Sequence, residues 1–426
     1  MKAIGIDIGT TGISGVLLDG ESGVLLRAIT KNSNAFIEDG APYERIQSVD
    51  KIFSVADGIL EELLEDGVGV IGVTGQMHGI VYLDENGLPV SPLYTWQDGR
   101  GDLPYKSTTY AAYLGAATGY GNVTDFYNRE NGIRPKNAVT YATIHDCFVM
   151  HLCSLKEPIL HDSDAASLGL YNTKTKSFDY DYHPTVKSGF CLAGSYKGIP
   201  VTVAIGDNQA SVLSTAKEGD ILVNVGTGSQ VSIISSTPAN AEGIEARPYF
   251  EGKHLLVGSA LCGGRAFSIL KDFYSRLLSY FTTVGDGEIY AAMEKMSAST
   301  TDSALTVDTR FAGTRTDPSV RGKIENLSAD NFTPEALTLG TLRGMASELY
   351  GLYEKMGTRG GALVGSGNGI RKNAPLVSAC EEMFGFKMKI PTHLEEAAFG
   401  AALYGLLSVG ACKALADAQR LISYNK

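Results

Sequence analysis

The sequence is poor in the residues that mark several functional classes. It has one tryptophan and only six cysteines among 426 residues, and the cysteines form no CxxC pair and no metal-finger spacing. In a chain of this size such cysteines are typical of reduced, mostly buried thiols. The pattern therefore argues against a zinc finger or a disulfide scaffold, and it predicts a cytoplasmic protein.

Long apolar runs and an excess of positive charge are also absent. No stretch approaches 18 uninterrupted apolar residues, and no charged leader with a long apolar run opens the chain, so we expect no membrane span and no signal peptide. Lys+Arg 36 against Asp+Glu 47 gives a net charge of -11 without a basic cluster, which argues against a nucleic-acid partner. Phosphorylated small molecules stay compatible, because local N–H groups and Mg²⁺ can outweigh a global charge deficit.

Glycine, by contrast, is abundant. The chain has 50 glycines together with 44% hydrophobic residues, which indicates many tight turns and close backbone approaches rather than disorder. A chain of this length is too long for one ordinary core, so two domains are expected.

A glycine–threonine hairpin opens the chain. Residues 3–8 are apolar and β-branched, and the segment 9–12 predicts a tight turn before a returning strand. Such a turn directs backbone N–H groups and the hydroxyls of Thr10 and Thr11 at one spot, where phosphate oxygens can bind. Asp7 would place a carboxylate beside those phosphates, as a ligand for hydrated Mg²⁺. An ordinary hairpin with an incidental aspartate is the alternative.

The next elements follow the order strand, strand, strand, helix, strand. The patterns predict a third strand over 24–29, a helix over 48–64 with Ser48 as its N-cap, and a buried strand over 68–74. This order opens the actin-like, ribonuclease-H-like fold.

One polar loop, over 75–79, directly follows this strand, and a second, over 92–100, follows a short way along the chain. Both loops combine polar residues with soft apolar or aromatic ones. Ligands prefer the carboxyl ends of strands in open α/β sheets, so the first loop is a candidate site. Polar groups would bind sugar hydroxyls and flat apolar groups would cover the carbon face. A satisfied loop histidine and a core tryptophan are the alternatives. The candidate residues are Gln76, Met77, His78, Trp96, Asp98 and Arg100.

A second aspartate lies at a strand–helix junction. After a predicted helix over 140–155 and a polar connection over 161–167, a strand over 198–204 delivers Asp207 and Asn208. A carboxylate at such a junction faces a cleft and a helix N-terminus at once. Helix capping is the alternative role, and the two roles are compatible.

Near residue 219 the opening pattern restarts. Strands over 220–225 and 229–234 enclose a second glycine–threonine turn, and Asn224 stands where Asp7 stood in the first hairpin. This weak repeat has a period of half the chain, so it implies two domains of one topology that face a shared cleft.

The second half adds two glycine segments. Gly264 precedes a helix predicted over 266–280, and a strand after the long helix over 333–355 ends in a glycine turn at 365–368. The spacing is not that of a dinucleotide fingerprint, and no Walker motif is present. We interpret the turn as an adenosine contact, with a bare turn as the alternative. An alanine-rich helix over 395–407 would allow close helix packing.

Together these segments resemble the FGGY carbohydrate kinases over nearly the whole chain. The resemblance rests on segments 6–11, 74–79, 205–209, 225–229 and 395–402. It implies an α/β protein with two actin-like (ribonuclease-H-like) domains around a central cleft. Domain 1–214 would carry the sugar loops and the catalytic aspartate, and domain 215–426 would carry the nucleotide-binding turn.

The resemblance implies an ATP-dependent kinase that phosphorylates a terminal hydroxyl of a ketose. Asp207 would be the catalytic base, and Asp7 would hold Mg²⁺ through water. The implied sugar contacts are Gln76, Met77, His78, Trp96, Asp98 and Asn208. The implied ATP contacts are Thr10, Thr11, Gly226, Thr227, Gly228, Ser229, Gly264, Gly365, Ser366, Gly367 and Asn368.

Several points stay open at this stage. The sugar loops and the glycine turn most resemble family members that phosphorylate sedoheptulose, to sedoheptulose 7-phosphate, and next those that phosphorylate xylulose. A kinase for another pentulose or a polyol is the alternative. A non-catalytic actin-like sugar-binding module is a second one, against which the presence of Asp7 and Asp207 argues. The chain is shorter than many relatives and carries Ser366 where many have glycine, so nucleotide preference and a homodimer interface are open.

Overall fold

The computed structural model describes residues 1–38, 40–239, 241–300, 304–315, 317 and 319–425. The elements of the first half, in chain order, are β1 (Lys2–Ile8), β2 (Gly12–Asp19), β3 (Leu25–Asn32), β4 (Ile46–Gln47), α1 (Val49–Leu63), β5 (Val68–Gly75), β6 (Val81–Leu83), β7 (Leu93–Tyr94), β8 (Pro104–Tyr105), β9 (Thr108–Thr109), α2 (Tyr110–Leu114), α3 (Gly121–Glu130), β10 (Thr140–Ala142), α4 (Ile144–Cys153), β11 (Ile159–His161), α5 (Asp162–Ser167), β12 (Tyr171–Asn172), β13 (Ser177–Phe178), β14 (Thr185–Lys187), β15 (Leu192–Tyr196), β16 (Ile199–Thr202), β17 (Ile205–Gly206) and α6 (Asp207–Thr215).

The elements of the second half continue the same numbering. They are β18 (Asp220–Val225), β19 (Ser229–Ser235), β20 (Ile244–Pro248), β21 (His254–Ala260), α7 (Gly263–Leu278), α8 (Asp286–Ser299), β22 (Thr306–Asp308), β23 (Lys323–Glu325), α9 (Pro334–Lys355), β24 (Ala362–Ser366), α10 (Asn368–Arg371), α11 (Ala374–Phe384), β25 (Met388–Lys389), α12 (Glu396–Ser408) and α13 (Leu415–Gln419).

The chain packs into two compact units. Unit 1 comprises Met1–Ser214, Pro248–Gly252 and His393–Ser423, and the rest of the chain forms unit 2. The first division falls after Ser214. Two stretches of the predicted second domain pack in unit 1 instead, because the last long helix returns to the first sheet.

The central sheet of unit 1 has the strand order β15-β16-β5-β1-β2-β3, and β17 also pairs with β5. β1, β2 and β3 form an antiparallel meander, while β5 runs parallel to β1. One face is covered by α1, which buries Ile52, Ile59 and Leu63 against the sheet. The predicted N-cap is observed, since the hydroxyl of Ser48 accepts from the backbone N–H of Lys51.

The sheet of unit 2 repeats this arrangement with the order β20-β21-β19-β18-β24-β25. β18 and β19 form an antiparallel hairpin that continues to β21, and β24 runs parallel to β18. The path β21-β19-β18-β24 therefore corresponds to β3-β2-β1-β5. This correspondence confirms the predicted duplication and the actin-like class of both halves.

Glycines on two central strands allow α12 to lie unusually close to the sheet of unit 1. A Cβ atom on Gly5 of β1 would lie 1.9 Å from the carbonyl oxygen of Ala398, and one on Gly72 of β5 would lie 1.9 Å from that of Ala401. Gly400 approaches the carbonyl oxygen of Ala210 in α6 equally closely. The small residues predicted for close helix packing thus fix the position of α12.

Two local predictions differ from the structure. The helix predicted over 140–155 begins only at Ile144, because β10 first pairs with β6 and Thr143 then caps α4. The connection predicted over 161–167 contains a short helix, α5, whose N-cap His161 accepts from the backbone N–H of Ser163. In both places a tertiary partner or a cap overrides the local apolar pattern.

Among the described residues, none of the helices combines the length and the apolar composition needed to cross a bilayer.

We predict that Gly72→Ala destabilises unit 1, because the added methyl group would overlap a helix carbonyl that cannot move alone. Overpacking of this kind costs about 1–3 kcal/mol, so the midpoint of chemical unfolding should fall. Gly58→Ala in α1 is the matched control: its Cβ would meet no atom within 4 Å, and alanine stabilises a helix interior by about 0.5–1 kcal/mol relative to glycine. Equal midpoints for Gly72→Ala and the native chain would contradict the packing described here.

Candidate active site

Three predicted segments meet at one edge of the unit 1 sheet. In the parallel pairing of β1 and β5, Asp7 lies opposite Thr74. In the pairing of β17 and β5, Gly206 lies opposite Gly75. The carboxyl ends of these strands therefore bring Asp7, the loop after β5 and Asp207 to the same edge, where open α/β sheets bind ligands.

Asp207 is the first residue of α6 and is partly buried. The backbone N–H of Gly206 donates to Oγ of Ser163 over 3.1 Å. The sulfur of Met77 lies 2.7 Å from where a Cβ on Gly206 would be, so a larger residue would displace that side chain. Met77 therefore lies beside the residue that precedes Asp207, and Asn208 follows Asp207 on the same helix.

Asp7 lies in an environment that disfavours its charge. Burial raises the pKa of its carboxyl group to about 8, and the nearby charges of Asp207 and Glu395 add to the effect. Oδ1 of Asp7 is inaccessible and has no hydrogen-bond partner. A carboxylate oxygen without a protein partner, among other carboxylates, suits a hard divalent cation, so the residues present fit Mg²⁺.

A buried polar cluster that the sequence reasoning missed lies behind this edge. The cluster comprises His145, Asp146 and Asp164. Each side chain offers one nitrogen or oxygen atom of the kind that can bind a metal ion, and these atoms lie within 4.8 Å of one another. The charge of Asp207 influences the pKa values of both His145 and Asp164. Asp146 belongs to the helix predicted over 140–155, whereas Asp164 belongs to the polar connection over 161–167. Because the two residues come from separate segments, no spacing motif could reveal the cluster.

A ring of hydrogen bonds joins the first hairpin to the sugar loops. Thr10 donates through Oγ1 to Oε1 of Gln76 over 3.3 Å, Gln76 donates to Gln47 over 3.0 Å, and Gln47 donates to the Thr10 carbonyl over 2.6 Å. Nε1 of Trp96 donates to Oγ1 of Thr10 over 3.0 Å, while 46% of the Trp96 surface stays exposed. Gln47 belongs to this group but gave no sequence signal. The neighbouring Thr11 is exposed.

His78 is held by its backbone and by one ring nitrogen. Its φ of 74° is in the left-handed region, and its N–H donates to Oγ of Ser167. Nδ1 lies 2.7 Å from the Ser167 carbonyl, which can only accept, so Nδ1 carries the proton. The ring stacks on Tyr120 with 4.6 Å between centroids. The orientation of the imidazole ring is therefore fixed, with Nδ1 as a donor to the Ser167 carbonyl.

Asp98 is not placed as a sugar contact. It is fully buried, and its oxygens accept from Nε and Nη2 of Arg100 at 2.6 and 3.1 Å and from the backbone N–H of Arg45. Arg100 is 1% exposed and lies over the ring of Tyr94. Gln76, at 2% exposed, is likewise committed to the ring described above. Both residues support the loops instead of lining an open surface.

In unit 2 the second hairpin meets the start of α7. The backbone N–H of Gly264 donates to the carbonyl of Gly226 over 2.9 Å, and that of Arg265 donates to the carbonyl of Thr227 over 3.0 Å. A Cβ on Gly264 would lie 2.4 Å from the Gly226 oxygen, so only glycine fits there. The turn 226–228 is exposed, and Ser229 is buried at its base. The residues predicted on the second hairpin and at the start of α7 therefore lie next to each other.

The glycine turn of unit 2 is only partly accessible. Ser366 is fully buried, and its Oγ accepts from Nδ2 of Asn224 over 2.6 Å. Gly365 is buried too, whereas Gly367, with φ of 80°, begins an exposed turn at Asn368. The serine that departs from the usual family glycine therefore supports the residue equivalent to Asp7.

Comparison with known proteins decides the family. The model of the N-terminal domain of the FGGY family of carbohydrate kinases matches residues 2–106, and that of the C-terminal domain matches residues 221–409. The chain belongs to the FGGY family of carbohydrate kinases. This finding confirms the resemblance seen in the sequence and identifies the protein as a carbohydrate kinase.

Individual relatives support the same FGGY assignment. The chain is 29% identical to mouse sedoheptulokinase, with 94% of this chain and 96% of the relative covered, and 28% identical to the human sedoheptulokinase. A solved xylulose kinase structure from Rhodospirillum rubrum superposes with a TM-score of 0.85 at 17% identity, over 100% of this chain and 93% of that one. At that identity the likeness establishes the fold alone.

We predict that Asp98→Asn destabilises the protein without a selective effect on sugar affinity. Removing one partner of a buried ion pair costs about 3–5 kcal/mol, so the unfolding midpoint should fall. Asp102→Asn is the matched control in the same loop between β7 and β8, because Asp102 is exposed, and it should change stability by less than about 0.5 kcal/mol. A raised KM for the sugar with unchanged stability would show that Asp98 contacts the substrate after all.

We predict a pH-dependent effect of Asp7→Asn on stability in metal-free buffer. Because the pKa of Asp7 rises from 3.8 to about 8 on folding, the folded protein binds this proton more tightly than the unfolded chain. That stabilisation is complete below the unfolded pKa and is lost as pH rises through about 8.

The variant carries no charge at this position at any pH. Relative to the native chain it should gain stability as pH rises from about 4 to about 8, by up to about 1.4 kcal/mol per unit. Unfolding curves at stepped pH measure the difference, with the exposed Asp66→Asn as control. A difference that does not vary with pH would contradict the raised pKa.

Proposed function

We propose that the protein is an ATP-dependent kinase that transfers the γ-phosphate to a terminal hydroxyl of a ketose, with sedoheptulose as the favoured substrate. The observation that carries the proposal is the meeting of Asp7, Asp207 and the loop after β5 at one sheet edge of unit 1. Phosphoryl transfer needs mainly positioning and charge neutralisation, together with a base for the acceptor hydroxyl.

Asp207 is proposed as the base. Its carboxylate would accept the proton of the sugar hydroxyl as that oxygen attacks the γ-phosphorus, and ADP would leave. A positioned base accelerates such a step by about 10²–10⁴-fold. The partly buried start of α6 suits this role, because the side chain keeps some access to solvent.

Asp7 is proposed to hold Mg²⁺ through water. When bound, Mg²⁺ would neutralise charge on the phosphates of ATP. The orphaned Oδ1 of Asp7 and its raised pKa support this assignment, since both indicate a missing positive charge.

The sugar is proposed to bind unit 1 against Trp96, His78, Met77 and Asn208. The exposed face of Trp96 can cover a carbon face, and the imidazole ring of His78 can bind a hydroxyl. Sedoheptulose is favoured because the mouse and human sedoheptulokinases match nearly the whole chain. Xylulose is the second candidate, because a xylulose kinase from Staphylococcus epidermidis also matches 96% of this chain, at 23% identity.

In unit 1, Thr10 and Thr11 of the first hairpin are proposed as phosphate contacts. In unit 2, the proposed nucleotide contacts are Gly226, Thr227, Gly228, Gly264, Gly367 and Asn368. Backbone N–H groups in such bends form anion sites without a lysine. Ser229, Gly365 and Ser366 would support the turns from below, since they are buried. A cytoplasmic location is also proposed, supported by six unpaired cysteines, and a homodimer stays a prediction.

The test is a sugar panel with purified protein. ADP release should be stimulated most by sedoheptulose, less by D-xylulose, and least by D-ribulose and glycerol. Asp207→Asn should lower kcat by about 10²–10⁴-fold while ATP binding, measured by calorimetry, is retained. Asp66→Asn, an exposed carboxylate, serves as control. No stimulation by any sugar would overturn the proposal, and strongest stimulation by D-xylulose would replace the favoured substrate.

A further inference from the structure

The buried cluster of His145, Asp146 and Asp164 has no role in the proposed reaction so far. His145 and Asp146 lie at the start of α4, and Asp164 lies in α5. Their side chains are 0%, 2% and 0% exposed. Ionisable groups this deep are retained only when something compensates for their charge or keeps them neutral.

The cluster lies against the backbone that carries Asp207. A Cβ on Gly75 would be 3.1 Å from Nδ1 of His145, and Gly75 pairs with Gly206, the residue before Asp207. On the other side, Ser163 accepts from the N–H of Gly206, and Asp164 is the next residue. His145 and Asp164 can therefore both influence the position of Asp207, the proposed base.

The hydrogen bonds fix the proton on His145. Oγ1 of Thr143 lies 2.6 Å from Oδ2 of Asp146, and burial raises the pKa of Asp146, so the proton between them can lie on either oxygen. Nε2 of His145 lies 3.2 Å from Oγ1 of Thr143 and 3.0 Å from Oδ1 of Asp164, so Nε2 is the ring nitrogen with acceptors for a proton. Nδ1 is buried without a partner, and a second proton on it would have no acceptor. His145 is therefore neutral, in line with the lowering of its pKa by burial.

Asp164 has the least support for a negative charge. Neither carboxyl oxygen has a hydrogen-bond partner, although Nε2 of His145 approaches Oδ1 to 3.0 Å. Burial raises the pKa of Asp164 well above its ordinary value, and the charges of Asp207 and Asp162 raise it further. The ionisable side chains of α5, of the strands packed against α5, of the first three residues of α4 and of the first residue of α6 are, besides Asp164 itself, His145, Asp146, His161, Asp162, Tyr171, Lys187 and Asp207.

The one lysine in this set is exposed at the end of β14, so water screens its charge. Among mutually repelling carboxyl groups, the proton stays on the most buried one. Asp164 is fully buried, whereas Asp207 is only partly buried.

We propose that Asp164 is held as a neutral carboxylic acid beside a neutral His145, and that this uncharged pair positions Asp207 and leaves it as the ionised carboxyl group. His145 and Asp164 are thus positioning residues that act through Asp207. The proposal rests on the function proposed above for Asp207. It predicts that an amide at position 164 can replace the acid, because it has the same shape and no charge.

The protonation state can be measured without any substrate. Infrared spectra at neutral pH should contain carboxylic-acid C=O absorption, part of which comes from Asp7. The difference spectrum of the native chain minus Asp164→Asn should contain a further carboxylic-acid band, and this band should be absent from the difference between the native chain and the exposed control Asp66→Asn. Identical carboxylic-acid absorption in Asp164→Asn and the native chain would overturn the proposal. So would metal analysis of extensively dialysed protein that finds one divalent cation per native chain and none in Asp164→Asn, because the cluster would then be an ionised metal site.

The positioning role is measured by kinetics with the best sugar of the panel. Asp164→Asn should keep kcat within about threefold of the native value, a small change on the scale where about 1.4 kcal/mol is tenfold. Asp164→Ala should lower kcat by about tenfold or more with the KM for ATP unchanged, since it removes the polar neighbour of Nε2. A loss of about 100-fold in a folded Asp164→Asn, as large as the loss of a positioned base, would overturn the proposal.

The two proposals fail separately. If no sugar stimulates ADP release, the proposed function falls, while the infrared band still decides the protonation of Asp164. If the native protein is a ketose kinase and the band is unaffected in Asp164→Asn, only the positioning proposal falls.

Discussion

The candidate site of unit 1 is defined by the crowding of carboxyl groups at one edge of its sheet. Burial disfavours the charge of Asp7 most, and Asp207 and Glu395 lie near enough for their charges to disfavour it further. Such an arrangement is unfavourable for folding, and proteins keep it where a ligand or a reaction needs it. We propose that the charge is reduced by a proton or a cation at Asp7 and by a proton on Asp164.

The scaffold forces these groups together through backbone packing. Gly5 and Gly72 let α12 rest directly on β1 and β5, and Glu395 immediately precedes that helix. The parallel pairing of β1, β5 and β17 carries Asp7 and Asp207 to the same edge. The carboxylates do not attract one another; tight contacts elsewhere hold them in place.

The duplicated half shows what changes when the acidic residue is absent. Asn224 holds the position of Asp7 in β18, and its amide is bonded to Ser366 on the neighbouring strand. In unit 1 the same strand position carries an oxygen without a partner. The same topology thus supports a carboxyl oxygen without a hydrogen-bond partner in one half and a hydrogen-bonded amide beside an exposed turn in the other.

Sequence patterns could reveal much of this arrangement but not all. Asp7 lies at the end of a buried strand and Asp207 follows one, and because a strand end is a local signal, the sequence alone singles out both residues. The sequence around Asp98 is typical of a ligand-binding loop, but the side chain is buried in an ion pair with Arg100. Only the tertiary structure reveals this burial. His145 and Asp164 were missed because α4 and α5 bring them together from separate segments.

The direct test of the central claim is the titration of Asp7 by carbon-13 NMR of aspartate-labelled, metal-free protein, with its signal assigned by its loss in Asp7→Asn. The account predicts a carboxyl resonance that titrates with a pKa of about 8 and loses this behaviour when Mg²⁺ and ATP are added. A resonance that titrates near the ordinary value of about 3.9 would contradict it.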